Sequence, residues 1–439
     1  MNRIGLRKEE KAFESRVPVI PNHVKSLRDQ HKIDFLVEPN KQRAFSENEY
    51  KKVGATIVPL KGSGAQVVFG IKEMPIGFFE KDVVYVFFSH TIKGQEHNMP
   101  MLQNILQAGA TLVDYERIVD QNGKRLIFFG NWAGMAGISD TFHVLGERLE
   151  VEGVKPNPFA GMKPTLKLKS LAAVTQEFRL LGKRINDQGL PKELTPFVVG
   201  FAGYGNVSRG AQEIFDILPH EVTQPENLST LKPMKNVLYK CIFKEEHMVE
   251  PKSPSTKFNL QDYYNTGKVN YIGVFHKYIP YLSVLMNCIY WTEKYPRLVT
   301  KDFIRKHWKD ASRKLRVIGD ISCDIDGAIE LTTRSTTPGD PAFTYLISED
   351  RAELGVKGNG PVIMAVDNLP CELPRESSMS FSETLTQFIP VFAAADFTAS
   401  SFEKLELPKE IKDAVIAYRG KLTKNYEYLK EYLQEDKTK

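Results

Sequence analysis

Lys72 stands in IKEMP, just past the apolar run Val67–Ile71, and His90 stands in FFSHT, just past Val83–Phe88. Runs of this kind read as buried strands of a parallel sheet. Both side chains then fall at carboxyl ends of strands, on the side where open α/β sheets bind ligands. A lysine and a histidine within reach of one carbonyl can share proton transfers, because neighbouring cations lower each other's affinity for a proton. The same positions also suit a solvated loop lysine and a strand-end histidine with a structural hydrogen bond. Arg16, in ESRVPVIP, precedes the first helix and can grip a carboxylate with its planar fork; an ordinary surface arginine reads the same way. Glu73 follows Lys72, and Glu116 lies in DYERIVD after the strand Thr111–Val113. Both acids can tune the Lys/His pair, or simply face solvent.

A second chemistry is written in TPFVVGFAGYGNVSRGAQEIFDIL, residues 195–218. A short apolar strand is followed by Gly200, Gly203, Gly205 and Gly210. Ala211, Ile214, Phe215 and Leu218 then form one helical stripe, which Pro219 stops. In that context Gly203 allows a tight turn and Gly205 lets a pyrophosphate approach the backbone, with the helix N-terminus facing the phosphates. The third position of a strict GxGxxG falls on Ser208, so a turn that merely packs strand on helix is the alternative. Asp320, in GDISCDIDGAIE, ends an apolar strand and suits a ribose hydroxyl; Asp324 reads as a turn residue. About twenty residues past Gly203, Thr223 and Gln224 occupy the place where an acid would bind the 2′-hydroxyl of NAD. The missing acid favours NADP(H), with NAD(H) as the alternative.

A glycine turn near residue 200 implies a preceding domain. Strand-like runs recur at Phe35–Val37, Ala55–Val58, Val67–Ile71, Val83–Phe88 and Thr111–Val113, with helical stretches such as Met99–Ala108 between them. This alternation predicts an α/β domain over the first ~140 residues. The small-residue passage GNWAGMAG, 130–137, leads into a predicted helix from about Ile138 to Glu152. A second helix, Ser170–Ile185, leads to the glycine turn. Val237–Phe243, Leu315–Ile321 and Val362–Val366 are further strand candidates. The polar stretch 244–268 reads as an exposed insertion. Helices are expected over Phe381–Ala395 and Pro408–Arg419, then in a last charged helix with Leu422, Tyr426, Leu429 and Leu433 on one stripe. This C-terminal segment is expected to return to the first domain.

The totals narrow the class. The 439 residues allow two or three domains, and 42% apolar with 26% charged residues is ordinary for a globular protein. Fifty-nine basic against 54 acidic residues leave a mild, dispersed net charge of +5, which makes no case for nucleic acid. Four cysteines without CxxC spacing argue against zinc or a disulfide framework and suit a reducing, cytoplasmic setting. The early charges of MNRIGLRKEEKAFESR do not read as a signal peptide. No apolar run approaches 18 residues, so no membrane span is expected.

Taken together, IGLRKEEKAFESRVPVIPNHV, VVFGIKEMP, VVYVFFSHTIKGQ, LVDYERIVDQNGKRLIFFGNWAGMAG, GFAGYGNVSRGAQEIFDILP, YIPYLSVLMNCIYWTEKYPRLVT, GDISCDIDGAIELTT and VDNLPCELPRESS form a familiar series. The chain resembles the lysine–2-oxoglutarate reductase module of aminoadipic semialdehyde synthases. More broadly, it resembles the family of alanine dehydrogenase and lysine-forming saccharopine dehydrogenase. The resemblance implies an α/β fold of two Rossmann-like domains with mostly parallel sheets and a cleft between them. Residues 1–140 plus 372–439 would form the substrate domain and 141–371 the dinucleotide-binding domain. By similarity, Lys72 and His90 match the acid–base pair. Arg16 matches the carboxylate-holding arginine, with Arg125 (NGKRL) a further substrate-side base and Glu73 and Glu116 acids that adjust the pair. Gly203, Gly205, Asn206 and Val207 match the pyrophosphate turn. Asp320 matches an aspartate beside the nicotinamide ribose, and Asn368-Leu369-Pro370 a loop lining the nicotinamide pocket. The implied activity is the NADPH-dependent condensation of L-lysine with 2-oxoglutarate to saccharopine, by a stand-alone reductase, with a homo-oligomer among the expected states. The alternatives are an NAD-dependent lysine-forming saccharopine dehydrogenase, another amino-acid or opine dehydrogenase, and a nucleotide sensor without turnover. The stretch GVKPNPFAGMKPTLKLK and the insertion 244–268 depart from the family pattern.

Overall fold

The computed structural model describes residues 1–310 and 313–433, which divide into two compact units. The first comprises Met1–Phe129 and Pro374–Lys439, and the second Gly130–Leu373. The class is mixed α/β, and each unit is built on one eight-stranded, mainly parallel sheet.

In the first unit, β1 (Ile4–Leu6), β2 (Phe35–Val37), β3 (Thr56–Ile57), β4 (Val67–Phe69), β5 (Val84–Phe87) and β6 (Thr111–Asp114) pair in parallel in the spatial order β6-β5-β4-β1-β2-β3. All residues of β1, β2, β4, β5 and β6 are buried. This explains why these strands read as continuous apolar runs rather than alternating ones: helices cover both faces of a parallel sheet. The strands are shorter than the apolar runs. β4 ends at Phe69 and β5 at Phe87, so Lys72 and His90 lie in the loops just beyond.

In the second unit, β7 (Val198–Ala202), β8 (His220–Thr223), β9 (Leu238–Phe243), β12 (Val284–Asn287), β13 (Val317–Asp320) and β16 (Val362–Met364) are parallel. Two short strands, β10 (Val249–Pro251) and β11 (Tyr271–Gly273), pair separately as an antiparallel ribbon. The antiparallel pair β14 (Ala342–Leu346) and β15 (Arg351–Leu354) extends the main sheet at one edge. The spatial order is β15-β14-β16-β13-β12-β7-β9-β8. β12 escaped the sequence reading although it lies beside β7 at the centre of the sheet; its buried run Val284–Asn287 is only four residues long.

Three segments depart from expectation. The helix expected from Ile138 starts at Gly130 and runs to Val151, taking in the whole GNWAGMAG passage. The small residues serve close approach: a Cβ on Gly134 would come within 1.9 Å of the Val207 carbonyl oxygen, and one on Gly210 within 2.0 Å of that of Asn131. This helix and Asn206–Phe215 therefore touch backbone to backbone. The stretch 244–268 is mostly exposed, as expected, but it is not a plain loop. It holds a one-turn helix, β10 and the helix Leu260–Thr266, and it buries Met248, Val249 and Tyr263 in an aromatic-rich core with Tyr271 and Phe275. At the C-terminus the long helix expected over Pro408–Arg419 is one turn, Lys409–Lys412, followed by β17 (Val415–Tyr418) and β18 (Lys421–Leu422). Val415-Ile416-Ala417-Tyr418 is wholly buried and antiparallel to β6; sheet pairing prevails over the helical reading. A 3₁₀ stretch, Lys424–Tyr432, replaces the last helix and buries Tyr426 and Leu429.

Candidate active site

The carboxyl ends of β1, β4 and β5, neighbours in the first sheet, gather Arg16, Lys72, Glu73 and His90. Arg16 is 2% exposed. Its guanidinium donates two hydrogen bonds to the Glu14 carboxylate, one of them from Nε at 2.8 Å, and lies over the Phe129 ring at 4.1 Å. An arginine clamped on an acid and an aromatic face holds one orientation. Burial, and then the nearby charge of Arg16, depress the Lys72 ammonium's hold on its proton; Glu73 pulls the other way. Glu73 bonds to Nδ1 of His90. Burial would raise the Glu73 carboxyl, but this hydrogen bond and the histidine's charge hold it down at about 2. Glu73 thus stays ionised between the two basic groups. Arg125 and Glu116 pair with each other at 3.0 Å, with the Arg125 side chain half exposed. They form a pair of their own at the end of β6; burial first, and then the charge of Glu116, raise the Asp114 carboxyl.

Three acids that the sequence reading passed over fix this cluster. Glu14 clamps Arg16. Glu9, 6% exposed, accepts from the backbone N–H of Ile71 at 2.7 Å and of Lys72 at 3.0 Å, and so holds the loop that carries Lys72. Burial and the charge of Glu14 push its carboxyl up to about 7, against the pull of Arg7 and those two N–H groups. Asp114 ends β6 fully buried and accepts from both the backbone N–H (3.0 Å) and the hydroxyl of Ser89, the residue before His90. Asn98 donates to the His90 carbonyl at 3.1 Å, steadying a residue whose φ is +49°. Only Asp114 carries a sequence signal, its place at the end of the predicted strand Thr111–Val113.

In the second unit, β7 runs into the turn Gly203-Tyr204-Gly205 and then the helix Asn206–Phe215. Gly203 has φ +93°, which favours glycine, and a Cβ there would press on Ile289 and the Cys288 carbonyl at 3.1–3.3 Å. Beside Gly205 lies open space: a Cβ would meet nothing within 4 Å. Asn206 and Val207 open the helix, whose first N–H groups lack intrahelical acceptors. A cavity of ≈ 330 Å³ adjoins the turn, lined by Gly203, Tyr204, Gly205 and Glu245 with Tyr290 and Trp291 among its aromatic walls. Bare backbone, a helix N-terminus and an aromatic-walled cavity fit a dinucleotide.

Asp320 ends β13 and is 1% exposed. Burial raises its carboxyl to about 6, against donations from Thr332 (2.5 Å), Asn287 (2.8 Å) and the Cys323 N–H (3.2 Å). Asn368 is buried at the start of the short helix Leu369–Glu372, and Leu369 packs towards Gly137. Thr223 stands apart from the turn. It ends β8, the edge strand, and β9 lies between β8 and β7. The strand adjacent to the glycine turn therefore ends at Phe243, followed by Lys244 and Glu245. The inference of NADP(H) from a missing acid at Thr223 loses its footing.

Among solved structures, the fold is similar to an L-alanine dehydrogenase (TM-score 0.59, 16% identity, 98% of each chain covered). It is also similar to a transhydrogenase from Sinorhizobium meliloti (TM-score 0.54, 14% identity, 96% of this chain and 100% of that one). Residues 5–136 match the alanine dehydrogenase/PNT N-terminal domain, and residues 275–425 match its C-terminal domain. The chain belongs to the alanine dehydrogenase/PNT family. Within reach of this family, it is 38% identical over 439 residues to the alpha-aminoadipic semialdehyde synthase of Arabidopsis thaliana, covering 95% of this chain and 40% of that protein. It is 33% identical to the mitochondrial alpha-aminoadipic semialdehyde synthase of Bos taurus, covering 97% of this chain and 47% of that protein. The chain thus spans less than half the length of these relatives. The saccharopine dehydrogenase [NAD(+), L-lysine-forming] of Emericella nidulans is 27% identical, covering 88% of this chain and 90% of that protein. Among the described residues, no cluster of His, Cys, Asp and Glu could hold a metal ion, and no helix is long and apolar enough to cross a membrane.

Proposed function

We propose that this member of the alanine dehydrogenase/PNT family joins the ε-amine of L-lysine to 2-oxoglutarate and reduces the product to saccharopine. The observation that carries the reading is the Lys72–Glu73–His90 arrangement at the ends of adjacent parallel strands, with clamped Arg16 beside it. Similarity to the semialdehyde synthases over nearly the whole chain points the same way.

The chemistry needs a proton taken and returned. A lysine ε-amine is protonated at neutral pH and must lose its proton to attack the keto carbon. Lys72, its proton loosened by burial and by Arg16, and His90, held by Glu73, form the pair that accepts it. The same pair returns a proton to the carbinolamine oxygen, so that water leaves. Arg16 anchors a carboxylate of the keto acid, with Arg125 as a further basic residue on the substrate side and Glu116 holding Arg125. Gly203, Gly205, Asn206 and Val207 cradle the pyrophosphate of a nicotinamide dinucleotide, which when bound supplies the hydride. Asp320, Asn368 and Leu369 shape the nicotinamide end. The partners are small molecules: lysine, 2-oxoglutarate and saccharopine.

The NAD-dependent, lysine-forming direction is the second reading. The acid at Glu245, beside the glycine turn, bears on the coenzyme, NAD(H) against NADP(H), and not on the direction. Oxidation of NADH and NADPH followed by absorbance, with 2-oxoglutarate present and lysine added or withheld, tests the proposal. Lysine-dependent oxidation is the expected result. Oxidation indifferent to lysine, or none with either coenzyme, would overturn it.

A further inference from the structure

The order of strands in space differs from their order in the chain, and the difference places an acid at the glycine turn. β8 follows β7 in sequence, but β9 pairs with β7 along its length, from Val198 opposite Tyr239 to Ala202 opposite Phe243. The contact continues into the turn, where the Gly203 N–H donates to the Phe243 carbonyl at 2.9 Å. In doubly wound sheets the adenosine ribose lies over the end of the strand beside the glycine-turn strand, and the residue there meets its 2′-substituent. Here that place falls to Lys244 and Glu245. Glu245 lines the cavity of ≈ 330 Å³ together with Gly203, Tyr204 and Gly205, whereas the exposed Lys244 is not part of its lining.

One contact directs the Glu245 carboxylate. The Tyr264 hydroxyl donates to it at 2.7 Å, and Tyr264 also lines the cavity. An ionised carboxylate has about four acceptor positions, so further donors can be accommodated. His247, the nearby base on the same turn, pairs with Glu226 at 3.5 Å and Glu246 at 3.9 Å.

We infer that Glu245 accepts a hydrogen bond from the adenosine 2′-hydroxyl and selects NAD(H) over NADP(H). A hydroxyl can donate to the carboxylate. A 2′-phosphate cannot donate when fully ionised, and it brings close to two further negative charges against Glu245. The inference rests on the dinucleotide part of the proposed function and refines which coenzyme that reaction uses.

The test is a binding measurement without substrates. NADH and NADPH are each titrated into the protein and the coenzyme or tryptophan fluorescence is followed. The unaltered chain is expected to bind NADH roughly 10- to 100-fold tighter, the scale of a hydrogen bond to a charged group. Glu245→Gln keeps an acceptor for the hydroxyl and for Tyr264 but removes the charge. It should cut the preference about tenfold, chiefly by improving NADPH binding. Thr223→Ala, on the edge strand, should leave the ratio unchanged. NADPH binding as tight as NADH in the unaltered chain, or a ratio that Glu245→Gln does not move, would overturn the inference while leaving the reductase reading standing. Tight, NADH-selective binding with no lysine-dependent turnover would remove the reductase reading and leave the inference. Binding of neither coenzyme would remove both.

Discussion

The two units share a plan and differ in what they do with charge. Both are mainly parallel eight-stranded sheets whose edge carries an antiparallel pair, β17–β18 in one and β14–β15 in the other. At its strand ends the first unit buries Arg7, Glu9, Glu14 and Arg16, with Glu38 and Arg43 nearby in the same unit. At the glycine turn the second unit has bare backbone, open space and aromatic walls. Its buried Asp320 meets neutral donors. The lesson is physical. Proton transfer needs side chains whose charges fix and tune one another in a poorly solvated place, whereas a pyrophosphate needs side chains out of the way so that backbone N–H groups can reach it.

The sharpest way to break this comparison is Lys72→Met. It removes the proposed acid–base group from the first unit and leaves the second unit's turn intact. Turnover should fall on the order of 10²-fold or more, with NADH binding unchanged. Loss of coenzyme binding in that variant would erase the division of labour, and near-normal turnover would take Lys72 out of the chemistry.

A smaller effect comes from Glu9. Its carboxyl is raised from 4.5 to about 7 in the folded chain. Its contribution to stability is therefore complete below about pH 4.5 and is lost as the pH climbs through 7; the full swing is roughly 3 kcal/mol as an upper bound. Glu9→Gln cannot ionise. Relative to this variant, the parent should lose stability between pH 4.5 and 7, as read from denaturant midpoints at several pH values. A constant difference across that window would show that Glu9 does not titrate there. The variant also removes one acceptor from the N–H groups of Ile71 and Lys72, so a loss of turnover should accompany it even where the fold is stable.

Much of this was legible in the sequence, for reasons that also mark the limit. Lys72 and His90 could be placed because buried parallel strands are continuous apolar runs that end abruptly. The glycine turn was legible because strand, glycines and helical stripe are local. Glu9 was not, since an acid in KEEKAFESR looks solvated until the chain brings Ile71 and Lys72, more than sixty residues on, against it; Glu14 was not, because its clamp on Arg16 shows only once both side chains are buried. The place of Glu245 was hidden because counting residues from Gly203 finds the next strand in sequence, β8, while hydrogen bonding selects β9. GNWAGMAG was misread because glycine weakens an isolated helix, and only the contact with Val207 and Asn131 explains its place inside one.

The central claim is that two substrates become one molecule. Mass analysis of the product made from lysine, 2-oxoglutarate and reduced coenzyme tests it most directly. A single new compound is expected that carries every carbon of both substrates, with the two joined through the lysine ε-nitrogen. Coenzyme consumed with only a simple amino acid formed from the keto acid, and lysine recovered intact, would contradict it.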